Sequence, residues 1–374
     1  MGSLSSPRKF MEYQFDERPF MAIWEVTRAC DLACRHCRAD AQERRDPLEL
    51  NTEQALALIG QIADWKVPLF VLTGGDCLKR DDLMILVGEC SRRGILFGLA
   101  PSVTPLLTRE KLSELKKAGV HRLSISLDGA DAQTHDEFRG IPGTFQRTME
   151  VLEDIRDLKI EVQINTSVGK HNFHQLPAMA ELLRPFNIQM WSTFFLVPTG
   201  RATRELLLTA SQTEQALEFL YETLEKGWFD VKTTEAPHFR RVILQKMGVD
   251  PDDIGKAIAR CSRPGLLRAA RGVNDGRGFV FISHRGDVYP SGFLPIMGGN
   301  LKQKSLAEIY QNSWLFKLMR NSDLFEGKCG FCEYRHLCGG SRSRAYAMTG
   351  SPIASDPLCS YQPKTSKWAS SVAS

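Results

Sequence analysis

No stretch of this 374-residue chain is apolar over the roughly 20 residues that a membrane-spanning helix needs. The opening segment, Met1 to Arg18, is polar and charged and lacks the apolar core of a secretory signal. Neither sign of charge predominates: 48 Lys and Arg against 44 Asp and Glu leave +4, too little to make nucleic acid or an anionic membrane the main partner. Long low-complexity tracts are missing, and no triad or paired-carboxylate constellation stands out. With 43% hydrophobic and 25% charged residues, collagen-like, coiled-coil and disordered readings are excluded. What remains is a cytoplasmic globular protein with room for one large domain or two to three smaller ones.

Against these absences stand ten cysteines. In a reducing compartment disulfides are disfavoured, so clustered thiols point to metal. Cys30, Cys34 and Cys37 lie near the N-terminus, and Cys329, Cys332, Cys338 and Cys359 near the C-terminus. Cys77, Cys90 and Cys261 stand alone and read as buried thiols.

Strand and helix patterns alternate from residue 20. Strands are expected at 20–27, 69–72, 95–100, 121–127, 160–168 and 188–197. Helices are expected at 52–64, 82–92, 108–117, 144–158, 175–183 and 212–225. Six βα units in about 200 residues imply an α/β fold with a parallel sheet, either a partial (β/α)6 barrel or a doubly wound sheet. In both, chemistry collects at the carboxyl ends of the strands. The rhythm is expected to stop near Lys232. A hairpin follows at 278–283 and 287–289 and an amphipathic helix at 305–319. The resulting organisation is an N-terminal arm at 1–19, the α/β unit at 20–235 and a basic bridge at 236–270. A C-terminal cysteine-rich domain at 271–363 and a tail at 364–374 complete it.

Cys30-x3-Cys34-x2-Cys37 follows the first strand directly, on the first βα loop. Three closely spaced thiolates can hold three irons of a [4Fe–4S] cluster and leave the fourth iron open. Structural zinc ordinarily takes four protein ligands, and His36, adjacent to Cys37, reaches poorly. At this point the sequence resembles the radical S-adenosylmethionine (SAM) superfamily. The resemblance implies that Cys30, Cys34 and Cys37 bind the cluster and that SAM chelates the open iron. It further implies reductive cleavage of SAM to a 5′-deoxyadenosyl radical that abstracts a substrate hydrogen, with electrons from a donor such as flavodoxin or ferredoxin. His36 takes the position of an aromatic residue near the adenine. Thr73-Gly74-Gly75-Asp76 matches the family's Gly-Gly-Glu motif for the SAM amino group. Two glycines let a ligand approach the backbone, and an acid meets an ammonium. Ser102, Thr104, Ser126, Asp128 and Asn165 sit at strand ends where SAM hydroxyls or its carboxylate would lie. Arg139 would pair with that carboxylate, and Pro198, Gly200 and Arg201 line the same rim.

Cys329-x2-Cys332-x5-Cys338-x20-Cys359 suits structural zinc or a second iron–sulfur cluster, and spacing alone favours zinc. Its surroundings resemble the SPASM extension of radical SAM enzymes: Asp287-Val288-Tyr289-Pro290, Gly299-Asn300-Leu301 and Cys338-Gly339-Gly340. That resemblance implies an auxiliary [4Fe–4S] cluster on these four thiols. Ser291 and Ser341 stand where the full pattern has two further cysteines, and serine is a poor ligand for soft iron–sulfur centres. Two clusters are therefore expected, not three. Trp24-Glu25-Val26-Thr27-Arg28 and His36-Cys37-Arg38-Ala39 resemble the haem d1 and alternative haem-biosynthesis group. The implied substrate is a tetrapyrrole side chain. Arg342, Arg344, Arg260, Arg263, Arg268 and Arg271 are candidates to meet its carboxylates, and a solvated basic face is the plainer reading of each. A SPASM maturase acting on a small ribosomally made peptide is the alternative. A non-catalytic iron–sulfur or zinc-binding regulatory protein is the alternative of another class.

Overall fold

The computed structural model describes residues 12–254 and 272–364. Ten strands form one sheet. Seven run parallel in chain order: β1 (Met21–Glu25), β2 (Leu69–Thr73), β3 (Phe97–Leu99), β4 (Arg122–Ser126), β5 (Glu161–Val168), β6 (Met190–Phe195) and β7 (Asp230–Thr234). On the other side of β1 lies β8 (Phe279–Ile282), also parallel to it. Antiparallel β9 (Asp287–Tyr289) and β10 (Gly299–Asn300) then end the sheet. The expected hairpin is present, and through β8 it belongs to the same sheet as the six expected strands. The fold is an α/β partial barrel with a C-terminal cysteine-rich unit built onto its first strand.

Helices fill the crossovers: α1 (Thr52–Asp64), α2 (Leu83–Arg92), α3 (Arg109–Lys117), α4 (Ala132–Arg139), α5 (Thr144–Asp157), α6 (Leu176–Leu183) and α7 (Ala210–Lys226). Local chemistry sets their ends. Asn51 and Thr209 close capping boxes with Gln54 and Gln212, and Gly140 and Gly227 end α4 and α7 in left-handed conformations. A continuous apolar core joins helices and sheet, with Trp24, Phe70 and Trp191 fully enclosed.

Three expectations are corrected. The rhythm runs past Lys232: β7 and α8 (His238–Lys246) extend it. The strand Asp-Val-Lys-Thr-Thr is short and polar, which hides it from a hydrophobic pattern. Helix α4 went unpredicted for the same reason, since only His135 and Phe138 of its eight residues are buried. The helix expected at 305–319 is two, α9 (Leu306–Asn312) and α10 (Trp314–Arg320), meeting at Ser313. Residues 12–19 are no loose arm: Tyr13 and Phe15 are buried, and Tyr310 Oη donates to Phe15 O (2.5 Å) and accepts from Gly278 N (2.8 Å). The arm before residue 12, Cys261, the arginines at 260, 263, 268 and 271, and the tail after 364 lie outside the described residues.

Tyr310→Phe removes the partner of a buried carbonyl and a buried amide at once. A loss of about 1–3 kcal/mol is expected, read as a lower unfolding midpoint in urea. An unchanged midpoint would show that the N-terminal segment is not held this way.

Candidate active site

The first βα loop carries the cysteine triplet, and backbone contacts fix it. Gly75 N donates to Thr27 O (2.8 Å), Asp76 N to Ala29 O (2.6 Å) and Cys30 N to Gln42 O (2.8 Å). A Cβ on Gly75 would stand 2.5 Å from Ala29 O, and one on Gly74 2.8 Å from Thr27 O. The two glycines therefore make room for the cysteine loop itself. Gly200, beyond β6, works the same way from the far side: its φ is +60°, and a Cβ there would lie 2.3 Å from Cys37 O. Arg201 N donates to that carbonyl (3.0 Å).

Charge ties the loop to the hairpin. Arg38 pairs with Glu25 at the end of β1 (2.5 Å) and stacks on Phe281 of β8. His284 lies between Glu25 (2.8 Å) and Asp46 (3.3 Å), and Arg285 pairs with Asp46 (2.5 Å). Burial opposes the charge on Glu25, but Arg38 and His284 outweigh it and hold the carboxyl below its ordinary range.

Within this frame Cys30, Leu32 and Cys34 form one buried cluster, with Cys37 and Ala41 packed against it. Leu32 N donates to Cys30 Sγ (3.4 Å) and Ala41 N to Cys37 Sγ (3.3 Å). Ser102 Oγ lies 3.5 Å from Cys30 Sγ, and Arg139 Nη1 3.7 Å from Cys34 Sγ. Burial pushes the Cys30 and Cys34 thiols up, so a metal must displace their protons.

Asp76 is enclosed. Its carboxylate accepts from Thr104 Oγ1 (2.7 Å), Leu78 N (3.1 Å) and Ser102 N (3.4 Å), and Ser102 Oγ donates to Gly75 O (2.8 Å). Through these bonds Asp76 also braces the loop after β3. Burial raises its carboxyl. Thr73 and Ser126 end β2 and β4 as half-buried residues, while Asn165, expected at a strand end, lies half-buried within β5 because that strand runs on to Val168; Ser126 and Asn165 are register partners. Cys77 and Cys90 are buried in the core.

The described structure adds a feature the sequence reading missed. His36 stacks on Phe138 (4.1 Å, 4°), and Phe138 on His171 (3.7 Å, 15°). Beside this stack Arg139 forms an ion pair with the fully buried Asp128 (2.5 Å). Several enclosed polar atoms here have no hydrogen-bond partner: His36 Nδ1, both His171 nitrogens, Arg139 Nε, and Arg201 Nε and Nη2. Orphaned buried polar atoms are costly, and a flat polar ligand would satisfy them. Burial, with Arg139 second, holds His36 well below its ordinary value and His171 at about 3, so both rings are neutral. His171 sits three residues past the end of β5, and that position was the available signal.

At the other end Cys329, Cys332, Cys338 and Cys359 line one small cavity of about 20 Å³. Asp356 N donates to Cys329 Sγ (3.4 Å) and Gly340 N to Cys338 Sγ (3.5 Å), with Arg342 Nη2 3.6 Å from Cys329 Sγ. Burial pushes the Cys332 thiol up to about 12. Arg342 and Arg344 are not free to meet a substrate. Arg344 is enclosed and binds Asp356 through two nitrogens (2.9 and 2.7 Å); Arg342 caps Ala354 O (2.7 Å) and stacks on Phe325.

Comparison with known proteins gives this geometry a family. Residues 24–183 match the model described as "Radical SAM superfamily". The chain is 39% identical over 351 residues to "AdoMet-dependent heme synthase" of Nitratidesulfovibrio vulgaris, covering 92% of this chain and 93% of that one. The chain belongs to the radical SAM superfamily. A more distant relative, "PqqA peptide cyclase" of Bradyrhizobium diazoefficiens, is 27% identical over 92% of this chain and 87% of its own. The fold is shared with Streptococcus suis SuiB bound to its precursor peptide SuiA: TM-score 0.71 at 16% identity, over 92% of this chain and 76% of that one. Among the described residues no helix is long and apolar enough to cross a membrane.

In this radical SAM enzyme Gly75→Ala forces the Ala29 carbonyl away. Alkylation of Cys30 and Cys34 in the reduced, metal-free protein is expected to quicken about tenfold, equivalent to roughly 1.4 kcal/mol of loop stability. The circular dichroism spectrum should not change. Equal rates would contradict the packing described.

Proposed function

We propose that this enzyme oxidises a carboxylate-bearing side chain of a haem-type tetrapyrrole, using Cys30, Cys34 and Cys37 for its catalytic cluster and Cys329, Cys332, Cys338 and Cys359 for an auxiliary one. The observation that carries the substrate class is the 39% identity to a haem synthase across nearly the full length of both chains. The peptide cyclase is more distant, at 27%.

The donor sets support the two clusters. Among the described residues no three His, Cys, Asp or Glu side chains converge as ligands of a single ion. The four C-terminal thiols line one common cavity, as the ligands of a single centre would, and the likeness to a radical SAM relative over nearly the full length favours iron–sulfur over zinc there. When bound, the reduced catalytic cluster and SAM supply the hydrogen-abstracting 5′-deoxyadenosyl radical, and an auxiliary cluster provides a place for the electron a substrate gives up.

The protein's own part is to orient and exclude. The His36–Phe138–His171 stack offers a neutral, flat wall for an adenine, and His36 Nδ1 and the His171 nitrogens offer its polar edge. Arg139, anchored by Asp128, places a positive charge beside Cys34 and toward a SAM carboxylate. Ser126 and Asn165 present polar groups side by side at the barrel mouth. The buried setting of Cys30 and Cys34 keeps bulk water from the reacting atoms. An external donor of the flavodoxin or ferredoxin kind would reduce the catalytic cluster.

Anaerobically reconstituted protein with SAM and dithionite should form 5′-deoxyadenosine, and an iron-bearing tetrapyrrole with propionate side chains should raise the yield and lose carboxyl mass. The Cys30→Ala/Cys34→Ala/Cys37→Ala protein should fall to background while retaining about half of its iron. SAM left intact by protein with full iron and the tetrapyrrole present would overturn the reading. Turnover on a short peptide in place of the tetrapyrrole would transfer it to the peptide-modifying branch.

A further inference from the structure

Between the end of β7 and the C-terminal thiols lies a buried acidic group that the chemistry above does not use. Glu235 follows β7 with φ +56°, a left-handed conformation that glutamate seldom adopts and that surrounding structure must impose. Ser291 Oγ and Ser343 Oγ lie 2.9 and 3.1 Å from its Oε1, and Ser341 Oγ donates to its Oε2. Asp275 stands on the far side of Ser343, whose Oγ and N are 2.9 and 3.0 Å from Asp275 Oδ2. Ser291 and Ser341, which replace the two cysteines of the fuller pattern, thus both serve a carboxylate.

Counting hydrogens limits what this group can be. Ser291 Oγ already accepts from Phe293 N (3.2 Å), and Ser341 Oγ from Arg344 N (3.0 Å), so both hydroxyls are turned to donate to Glu235. Ser343 Oγ has one hydrogen and two carboxylate oxygens within reach. Were both acids ionised, one of those contacts would set lone pair against lone pair with no proton between them. A single proton shared by Glu235 and Asp275 removes that conflict, and Ser291, which also lies within hydrogen-bond reach of Asp275, adds to the demand for it. Electrostatics agree in direction: burial first and the Asp275 charge second raise Glu235, and burial raises Asp275. The positive groups facing the pair are already engaged. Arg344 is held by Asp356, which His238 Nε2 also approaches (3.1 Å), and Arg342 by backbone carbonyls.

The pair also connects to sulfur. Ser341, the donor to Glu235, gives its own N–H to Asp356 Oδ2 (2.7 Å), and Asp356 N donates to Cys329 Sγ (3.4 Å). One short run of hydrogen bonds therefore joins the acids to a wall of the thiol-lined cavity.

We propose that Glu235 and Asp275 hold one shared proton as the charge-balancing partner of the C-terminal centre, keeping it when that centre is reduced and releasing it more readily when it is oxidised. This rests on the assignment of a redox cluster to the C-terminal thiols. The step balances: the substrate radical is oxidised by one electron and the centre reduced by it, up to one proton leaves a hydronium O–H for the pair, and the bond formed is a carboxyl O–H. Because the protonated pair favours the reduced centre, the midpoint potential must fall as pH rises through the pair's titration.

The test is an EPR-monitored redox titration of the anaerobic holoenzyme from about pH 6 to about pH 10. In the wild type the C-terminal centre should lose potential with rising pH, by at most about 59 mV for each tenfold fall in proton activity. Glu235→Gln and Asp275→Asn should each flatten that slope, and the centre on Cys30, Cys34 and Cys37 should not respond to either. An infrared carbonyl band of a protonated carboxylic acid should be present in the wild type and lost in Glu235→Gln. A flat wild-type potential, or a slope that survives both substitutions, overturns the coupling while leaving the cluster in place. About four irons per chain instead of about eight, with no second signal, overturns the cluster assignment itself, and the coupling falls with it.

Discussion

A methyl group at position 75 would sit 2.5 Å from the carbonyl oxygen of Ala29. That contact, between the turn after β2 and the loop after β1, is the constraint from which the site follows. Three thiols on a loop can converge only if the loop has a single shape, and a loop cannot supply one from its own residues. Here the shape is imposed from several sides. The Gly74-Gly75 backbone presses on residues 27–29, Gly200 presses on Cys37 and Arg38, and Arg35 N donates to Phe138 O (2.9 Å). The Glu25–Arg38 ion pair and the contacts of His284 with Glu25 and Asp46 then tie the same loop to the hairpin. Because β8 pairs with β1, the catalytic loop and the C-terminal unit share one sheet, and their separation is set by strand geometry.

The two thiol sites and the acid pair divide the donors by softness. Sulfur lines the two cysteine sites and oxygen lines the acid pair beside the C-terminal one, and one does not substitute well for the other. Ser291 and Ser341 stand where the SPASM resemblance implies cysteines, and they do more than leave out two ligands. They supply two hydroxyl donors, and Glu235, in a backbone conformation it would not choose, accepts both. The surrounding arginines are consumed in the same bracing: Arg344 by Asp356, Arg342 by carbonyls and Phe325. A buried polar group of this kind is stable only when fully satisfied, which is why a shared proton belongs to its description.

Much of this was legible in the sequence. The cysteine spacings, the parallel α/β rhythm and the hairpin can be read because periodicity and ligand spacing are local properties. The hydrogen bonds that Asp76 takes from Thr104 and Ser102 could not be read, because a Gly-Gly-Asp turn does not show which loop will pack against it. Arg342 and Arg344 misled for a related reason: burial is a tertiary property, and arginine is usually exposed. Strand β7 and helix α4 were missed because their polar sequences carry little hydrophobic pattern. The His36–Phe138–His171 stack and the Glu235–Asp275 pair join residues dozens of positions apart, which no single window contains.

The account stands most directly on where iron binds. Diffraction from anaerobically reconstituted crystals, recorded at the iron absorption edge, would locate it without reference to activity. The account predicts two anomalous centres, one among Cys30, Cys34 and Cys37 and one among Cys329, Cys332, Cys338 and Cys359, with none beside Ser291 and Ser341. A single centre, or a third one seated against Glu235, would contradict it.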